Sequence, residues 1–171
     1  MPKRRTGNWL GFLACALVTG FAFYSQHVLG LQPCHLCIFQ RFAVAAMGLA
    51  FLLAALFPAR GRGAPFHAFL IGVAGLATLG TAGRHIWIQL QPPGTIPACG
   101  ADLDFMLDVF PLTEVILKVF KAGGECAQVD WTLLGLSMPA WVFIFALFLT
   151  VAGIWNNLRR VPAAGSATRG A

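Results

Sequence analysis

Four long stretches without charged residues constrain this chain more than any other feature. Residues 6–40, 42–59, 63–83 and 131–158 contain no Lys, Arg, Asp or Glu. An α-helix needs about 20 apolar residues to cross a bilayer, with a range of about 17 to 25. The chain is only 11% charged, whereas soluble domains are about 25% charged. The sequence therefore predicts an all-α integral membrane four-helix bundle. We expect the spans at about residues 8–26, 36–57, 65–87 and 138–158.

Basic residues flank the predicted spans on one side of the membrane. Lys3, Arg4 and Arg5 precede the first span, Arg60 and Arg62 separate the second from the third, and Arg159, Arg160 and Arg169 follow the fourth. Cytoplasmic flanks collect Lys and Arg, so both termini and the loop at 58–64 should face the cytoplasm. The loops at 27–35 and 88–136 should then face the periplasm of a bacterium, on the outer side of its inner membrane. The tail at 159–171 is expected to be disordered.

The net charge of +6 follows from this topology. All six acids lie in the outer loop at 88–136. A nucleic-acid-binding chain would need a basic face with interleaved aromatic residues, and the sequence has none. The expected surroundings are the lipid bilayer, with no nucleic-acid partner.

The outer loop at 88–136 contains one segment with helical spacing. Between Leu112 and Phe120, apolar residues recur at helical intervals, which predicts a short amphipathic helix. Such a helix could lie flat in the membrane interface or pack on the end of the bundle. The sequence leaves these two alternatives open.

Cys34 and Cys37 form a CxxC pair at the outer end of the second predicted span. Pro33 before them suits a helix start. A thiolate at a helix N-terminus is stabilised by the helix dipole, and thiolate is the attacking form in thiol–disulfide exchange. Arg41 shares the helix face of Cys37, and an arginine within a membrane span marks a functional site. We expect Arg41 to favour the thiolate or to donate hydrogen bonds to a lipid-soluble ligand, unless it only reaches the outer head groups.

A metal site competes for the same residues. By residue type Cys34, His35, Cys37 and His27 could bind zinc or copper. No second CxxC or His pair at metal-binding spacing completes the set, so no metal is predicted. Covalent c-type haem would require a histidine where Ile38 stands.

Cys99 and Cys126 are the other two cysteines expected outside. A structural disulfide between them would stabilise the loop by roughly 3–4 kcal/mol. Their glycine- and proline-rich surroundings suit a redox-active pair equally well. The fifth cysteine, Cys15, lies within the first span and is interpreted as a small apolar core residue.

His85 stands near the outer end of the third predicted span, at about the depth of the CxxC pair. Reduction of a quinone consumes two protons, which His85 could help to supply. It could equally be an interfacial residue beside Trp87. Both readings stay open.

Together these motifs resemble the DsbB family, the bacterial disulfide bond formation proteins B. The resemblance rests on Pro33-Cys34-x-x-Cys37-Ile38-x-x-Arg41, on Cys99 and Cys126, and on the segment from Trp131 through Met138-Pro139 to Trp141. It runs from the first predicted span to the fourth. One departure is His35 between the two cysteines, where apolar residues are common in the family.

The resemblance implies a quinone-dependent thiol oxidase. Its partner would be a periplasmic DsbA-like oxidase, and its cofactor a membrane quinone, with ubiquinone favoured over menaquinone. DsbA is a strong oxidant, so its reoxidation requires an acceptor as oxidising as a respiratory quinone. The implied catalytic residues are Cys34, Cys37, Cys99 and Cys126, with Cys99 forming the mixed disulfide with DsbA. The implied quinone contacts are Cys37, Arg41, His85 and Met138.

Other functions predict other arrangements of cysteines. A conduit that carries electrons from the cytoplasm would need a cysteine in a cytoplasmic loop, and none is expected there. An enzyme like vitamin K epoxide reductase typically carries its CxxC on a later helix. A membrane scaffold or metal-binding protein would use Cys99–Cys126 as a static disulfide.

Overall fold

The computed structural model describes residues 2–30, 33–58, 63–92, 108–121, 124–127 and 132–159. Its elements, in chain order, are α1 (Pro2–His27), α2 (His35–Leu56), α3 (Gly63–Gln89), α4 (Leu112–Lys121), a 3-10 turn (Gly124–Ala127), β1 (Thr132–Leu133), β2 (Leu136–Ser137) and α5 (Met138–Leu158). Four of the helices, α1, α2, α3 and α5, are long and apolar enough to cross a membrane. This confirms the all-α membrane bundle predicted from the sequence.

The ends of the long helices follow local sequence signals. Cys34 is the N-cap of α2 and has an extended backbone, with φ −69° and ψ 167°. Helix α3 ends at Gln89, just before Pro92 and Pro93, which cannot continue a helix. Pro139 occupies the first turn of α5, where its missing N–H costs no hydrogen bond.

The four long helices pack in a ring in which α1 contacts α2, α2 contacts α3, and α3 contacts α5. Their shared core contains Met47 and Phe51 of α2, Ile71 of α3 and Leu149 of α5. Cys15 of α1 belongs to the same core and is 1% exposed, in agreement with its interpretation as an apolar core residue.

Small residues let the helices approach closely. A Cβ at Gly75 of α3 would lie 2.0 Å from the Thr150 hydroxyl on α5, and a Cβ at Gly153 would lie 2.6 Å from the Phe51 ring. Close approach of this kind is the usual basis of helix packing in lipid, where burial of apolar area gives no driving force.

Three buried or half-buried asparagines join α1 to α5 at the end of the bundle opposite the CxxC pair. Asn8 Nδ2 donates to Asn157 Oδ1 at 3.2 Å, and Asn157 Nδ2 donates back to Asn8 Oδ1 at 3.0 Å. Asn156 Nδ2 donates to the Arg4 carbonyl at 3.0 Å. Interhelical hydrogen bonds of this type hold membrane helices together.

The CxxC end of the bundle is closed by the outer-loop elements. Val115 of α4 and Cys126 of the 3-10 turn pack against Leu36 of α2 and Ile88 of α3. The turn between β1 and β2 places Leu134 at φ 54° and Gly135 at φ 80°, as tight hairpins require. From this hairpin Ser137 Oγ donates to Gln89 Oε1 at 2.7 Å.

Helix α4 combines features of its two predicted positions, packed on the end of the bundle or flat in the membrane interface. Val115 is completely buried against the bundle, while Leu112 and Leu117 are more than half exposed. The helix therefore packs on the bundle end through Val115 and presents leucines outward. Cys99, Trp131, residues 59–62 between α2 and α3, and tail residues 160–171 lie outside the described residues.

Candidate redox site

The CxxC pair lies at the point where the chain enters α2. Cys34 directly precedes the helix and Cys37 lies in its first turn. Their sulfur atoms are 3.3 Å apart, and both thiols are free and half-buried. A disulfide bond is about 2.05 Å long, so this is the arrangement of a reduced dithiol. The two sulfurs can form a disulfide after a small movement.

His85 of α3 faces both sulfurs. Its Nε2 lies 3.8 Å from Cys34 Sγ and its Nδ1 lies 4.0 Å from Cys37 Sγ. The side chain is only 2% exposed, so it faces the interior of the bundle. Its ring nitrogens can exchange protons with the dithiol.

Cys126 reaches the dithiol from the outer loop. Its side chain packs with Cys34 in the cluster that also contains Leu36, Ile88 and Val115, close enough for its thiol to act on the pKa of Cys34. The side chain is 2% exposed and carries a free thiol. The sequence left open whether Cys126 is part of a static disulfide or of a redox pair. The structure brings it to Cys34, the inter-loop contact needed for exchange between the two cysteine pairs.

The environment makes Cys34 the thiolate of this contact. Hydrogen bonds donated by Cys126 and Cys37 lower the pKa of the Cys34 thiol far below its usual range, against the opposing effect of burial, and His85 adds to the lowering. The pKa of Cys126 is raised, because its hydrogen is donated to Cys34 and because it is buried. The helix N-terminus was the predicted cause of a low thiol pKa, but the neighbouring thiols of Cys126 and Cys37 are the main cause.

Arg41 is held by α1. Its Nη2 donates to the Ala22 carbonyl at 2.9 Å, and its Nη1 donates to Gln26 Oε1. The guanidinium carbon lies 5.4 Å from the centre of the Phe23 ring. A guanidinium carries five N–H donors, so these contacts orient Arg41 and leave it able to bind a ligand oxygen.

Gln40 is a candidate ligand-binding residue that was not predicted from the sequence. It lies on the buried stripe of α2 between Leu36 and Val44 and is 5% exposed. Its Nε2 is one of two buried side-chain polar atoms without a hydrogen-bond partner among the described residues. An unpaired buried donor costs about 1–3 kcal/mol, which points to a partner that arrives with a ligand. The available sequence signal was a polar amide next to Arg41 within an apolar span.

Met138 begins α5, directly after Ser137, which binds Gln89 at the end of α3. Gln89 lies one helical turn beyond His85, so Met138 lies at the same end of the bundle as the dithiol. The structure therefore brings Cys34, Cys37, His85 and Cys126 into contact and places Arg41 and Met138 nearby.

Comparison with known proteins identifies the family of the chain. The family model "Disulfide bond formation protein DsbB" matches residues 4–156. Disulfide bond formation protein B of Nitrosococcus oceani is 46% identical over 160 residues, which cover 94% of this chain and 95% of that protein. The protein of the same name from Acinetobacter baumannii is 44% identical over 155 residues, or 89% and 91% of the two chains. The one from Methylococcus capsulatus is 42% identical over 162 residues, or 94% and 99%. The resemblance seen in the sequence is thus confirmed, and the chain belongs to the DsbB family of disulfide bond formation proteins, which are membrane thiol oxidoreductases.

Proposed function

We propose that this protein is a thiol:quinone oxidoreductase of the bacterial inner membrane that reoxidises a periplasmic DsbA-like oxidase. The observation that carries the proposal is the contact between Cys126 of the outer loop and Cys34 at the start of α2. Cys34 lies 3.3 Å from Cys37, one turn into an apolar helix. A continuous row of sulfurs therefore leads from the outer loop to the membrane.

The first exchange takes place on the loop. A thiolate of the partner attacks Cys99 in a Cys99–Cys126 disulfide, and Cys126 leaves as a thiolate. The second thiol of the partner then attacks the mixed disulfide and releases Cys99. The partner has lost two electrons and gained a disulfide, and the loop pair is reduced. The order of attack follows the family resemblance, since Cys99 lies outside the described residues.

The second exchange uses the contact between Cys126 and Cys34 at the start of α2. Cys126 attacks Cys34 in a Cys34–Cys37 disulfide, forming a Cys34–Cys126 bond and releasing Cys37 as a thiolate. Cys99 then attacks Cys126 and releases Cys34, so the loop disulfide is restored and the CxxC pair carries the two electrons. The effect of the Cys126 thiol on the pKa of Cys34 is lost in this step, but Cys37 and His85 still lower that pKa, and a less basic thiolate leaves faster.

The residues around Cys37 suit a quinone. Gln40 supplies an unpaired buried N–H donor, and Arg41 supplies a guanidinium fixed by α1, so the two can hold the carbonyl oxygens. A bound quinone would accept two electrons and two protons and leave as a quinol. His85 faces both thiols and is placed to carry their protons. We assign ubiquinone as the preferred form.

The proposed orientation follows from the flanking charges. Lys and Arg flank the ends remote from the dithiol, and cytoplasmic flanks collect these residues. Both termini are therefore assigned to the cytoplasm and all four redox cysteines to the periplasmic side, where the partner is found. A static scaffold is not favoured, because Cys126 carries a free thiol in contact with Cys34.

The test of this function combines the purified full-length protein with a reduced DsbA-type partner and a short-chain ubiquinone. Quinone absorbance should fall only when the protein and the reduced partner are both present. Oxidised partner serves as the control. No change in quinone absorbance with active, reduced partner would refute the proposed function.

Replacement of Gln40 by leucine tests the quinone contact. We expect the KM for quinone to rise about tenfold, the loss of one buried hydrogen bond, with little change in kcat. The free energy of unfolding without quinone should stay equal or rise, because an unpaired buried donor is removed. Thr78→Val is the matched control, since Thr78 is also buried but its hydroxyl bonds to the Ala74 carbonyl of its own helix at 2.9 Å. A Gln40→Leu variant with an unchanged KM would remove Gln40 from the quinone site.

A further inference from the structure

The reduced redox site has the composition and geometry of a zinc site. The ligand atoms of Cys34, Cys37 and His85 all lie within 4.8 Å of one another. Cys126 adds a third sulfur beside Cys34, but it lies outside this group, so more than 4.8 Å separates its sulfur from at least one of the other ligand atoms. Three cysteines and one histidine are a common ligand set for four-coordinate zinc. By residue type and position in the sequence, His27 and His35 were the candidate histidines of a metal site, but the histidine that faces the dithiol is His85.

The separations fit a single ion. With Zn–S bonds of about 2.3 Å and Zn–N bonds of about 2.0 Å, tetrahedral geometry places two sulfurs about 3.8 Å apart and a sulfur and a nitrogen about 3.5 Å apart. The observed separations are 3.3 Å between the sulfurs of the CxxC pair, and 3.8 Å and 4.0 Å between those sulfurs and the His85 ring nitrogens. The two sulfurs of the CxxC pair need to separate by about 0.5 Å. The two distances to His85 join different ring nitrogens, so the imidazole must rotate to turn one nitrogen toward the ion, and the Cys126 sulfur must move closer.

Three of the ligands are already close together. Cys37 and His85 belong to two long helices that pack directly against each other, and Cys34 caps the first of them. Burial against Leu36, Ile88 and Val115 holds Cys126 beside the dithiol, from where its side chain reaches the ion after a shift. Little chain ordering is needed for binding, and the apolar surroundings strengthen the attraction between a divalent cation and thiolates.

We propose that the reduced protein binds one Zn²⁺ ion through Cys34, Cys37, Cys126 and His85, and that this binding reversibly blocks thiol oxidation. The three thiols release their protons as they bind, and no electron is transferred. A disulfide between Cys34 and Cys37 removes two ligands, so the oxidised protein has no such site. Zinc thus competes with oxidation for the same sulfurs and holds the protein in its reduced form until a chelator removes the ion.

Zinc binding can be measured without quinone or partner, so its failure is distinguishable from failure of the proposed function. Full-length protein free of quinone is reduced with a phosphine, incubated with micromolar Zn²⁺, desalted and analysed for metal. We expect one zinc per chain in the reduced protein and none in the oxidised protein. Co²⁺ in place of zinc should give thiolate-to-metal charge-transfer absorption and the intense visible bands of tetrahedral cobalt.

Variants then identify the ligands. Cys34→Ser and Cys37→Ser should each lose the zinc, and His85→Gln should weaken binding at least about tenfold. Cys15→Ala and His35→Asn should keep it. Equal zinc content in the reduced and oxidised wild-type protein would overturn the proposal, and this comparison requires no variant to fold. Loss of zinc in His35→Asn with retention in His85→Gln would also overturn it.

Discussion

Replacing Cys37 with serine is expected to reduce steady-state quinone reduction by about 10³-fold or more, because a hydroxyl can neither form the disulfide with Cys34 nor pass electrons onward. The Cys34 sulfur, 3.3 Å from that of Cys37, would lose its only partner within the CxxC pair. The loop pair would remain intact. We therefore expect one equivalent of partner to be oxidised in a single burst, followed by no turnover, measured by quinone absorbance and by titration of partner thiols.

Cys15→Ala is the matched control for the Cys37 variant. Cys15 is also a cysteine in a membrane span, but it packs in the core among Val44, Met47 and Phe51, away from the dithiol. Its replacement should leave turnover unchanged. Sustained quinone reduction by Cys37→Ser at more than about one-tenth of the normal rate would contradict the assignment of Cys37 as the cysteine at the quinone end.

Replacing Cys126 with serine is expected to abolish oxidation of the partner to a similar extent, about 10³-fold or more. The variant lacks the loop disulfide and also the thiol that contacts Cys34. The CxxC pair and its surroundings are otherwise retained. We therefore expect a small reductant that reaches Cys34 and Cys37 directly to support quinone reduction at close to the normal rate.

Partner oxidation and reductant-driven quinone reduction, measured separately, distinguish a role of Cys126 in electron transfer from a purely structural role. If Cys126 only stabilised the fold, Cys126→Ser would impair both partner oxidation and reductant-driven quinone reduction. Oxidation of partner by Cys126→Ser at a rate within a few-fold of normal would show that electrons bypass Cys126. In a Cys37→Ser, Cys99→Ser double variant, where neither normal pair can form, peptide mapping after oxidation should recover Cys34 linked to Cys126, the bond that their contact favours.

The bundle could be predicted from the sequence because its signals are local. Each span is a charge-free stretch long enough for the bilayer, and the ends of α2 and α3 follow from Pro33, Pro92 and Pro93. The spacing of apolar residues predicted helix α4. The face through which α4 packs could not be predicted, because the contact of Val115 with Leu36 and Ile88 depends on tertiary structure.

Most residues of the site could be predicted from the sequence, but the contacts between them could not. Cys34, Cys37 and Arg41 are linked by helical spacing, His85 was singled out by its depth in the third predicted span, and Cys126 was singled out as a cysteine of the outer loop. That His85 faces both sulfurs follows from the rotation of α3 against α2, which span hydropathy does not specify. Gln40 was missed for a similar reason, since only the packed structure reveals that its amide nitrogen lacks a partner.

The central claim is that one quinone molecule is reduced for each disulfide formed in the partner. The most direct measurement is a stoichiometric titration under strict exclusion of oxygen, with catalytic amounts of the protein, limiting reduced partner and excess ubiquinone. Quinol formed is measured by absorbance, and partner thiols lost are measured by alkylation and mass. We predict one quinol for each partner dithiol oxidised. Partner oxidation without quinol formation, or quinol formation without loss of partner thiols, would contradict the account.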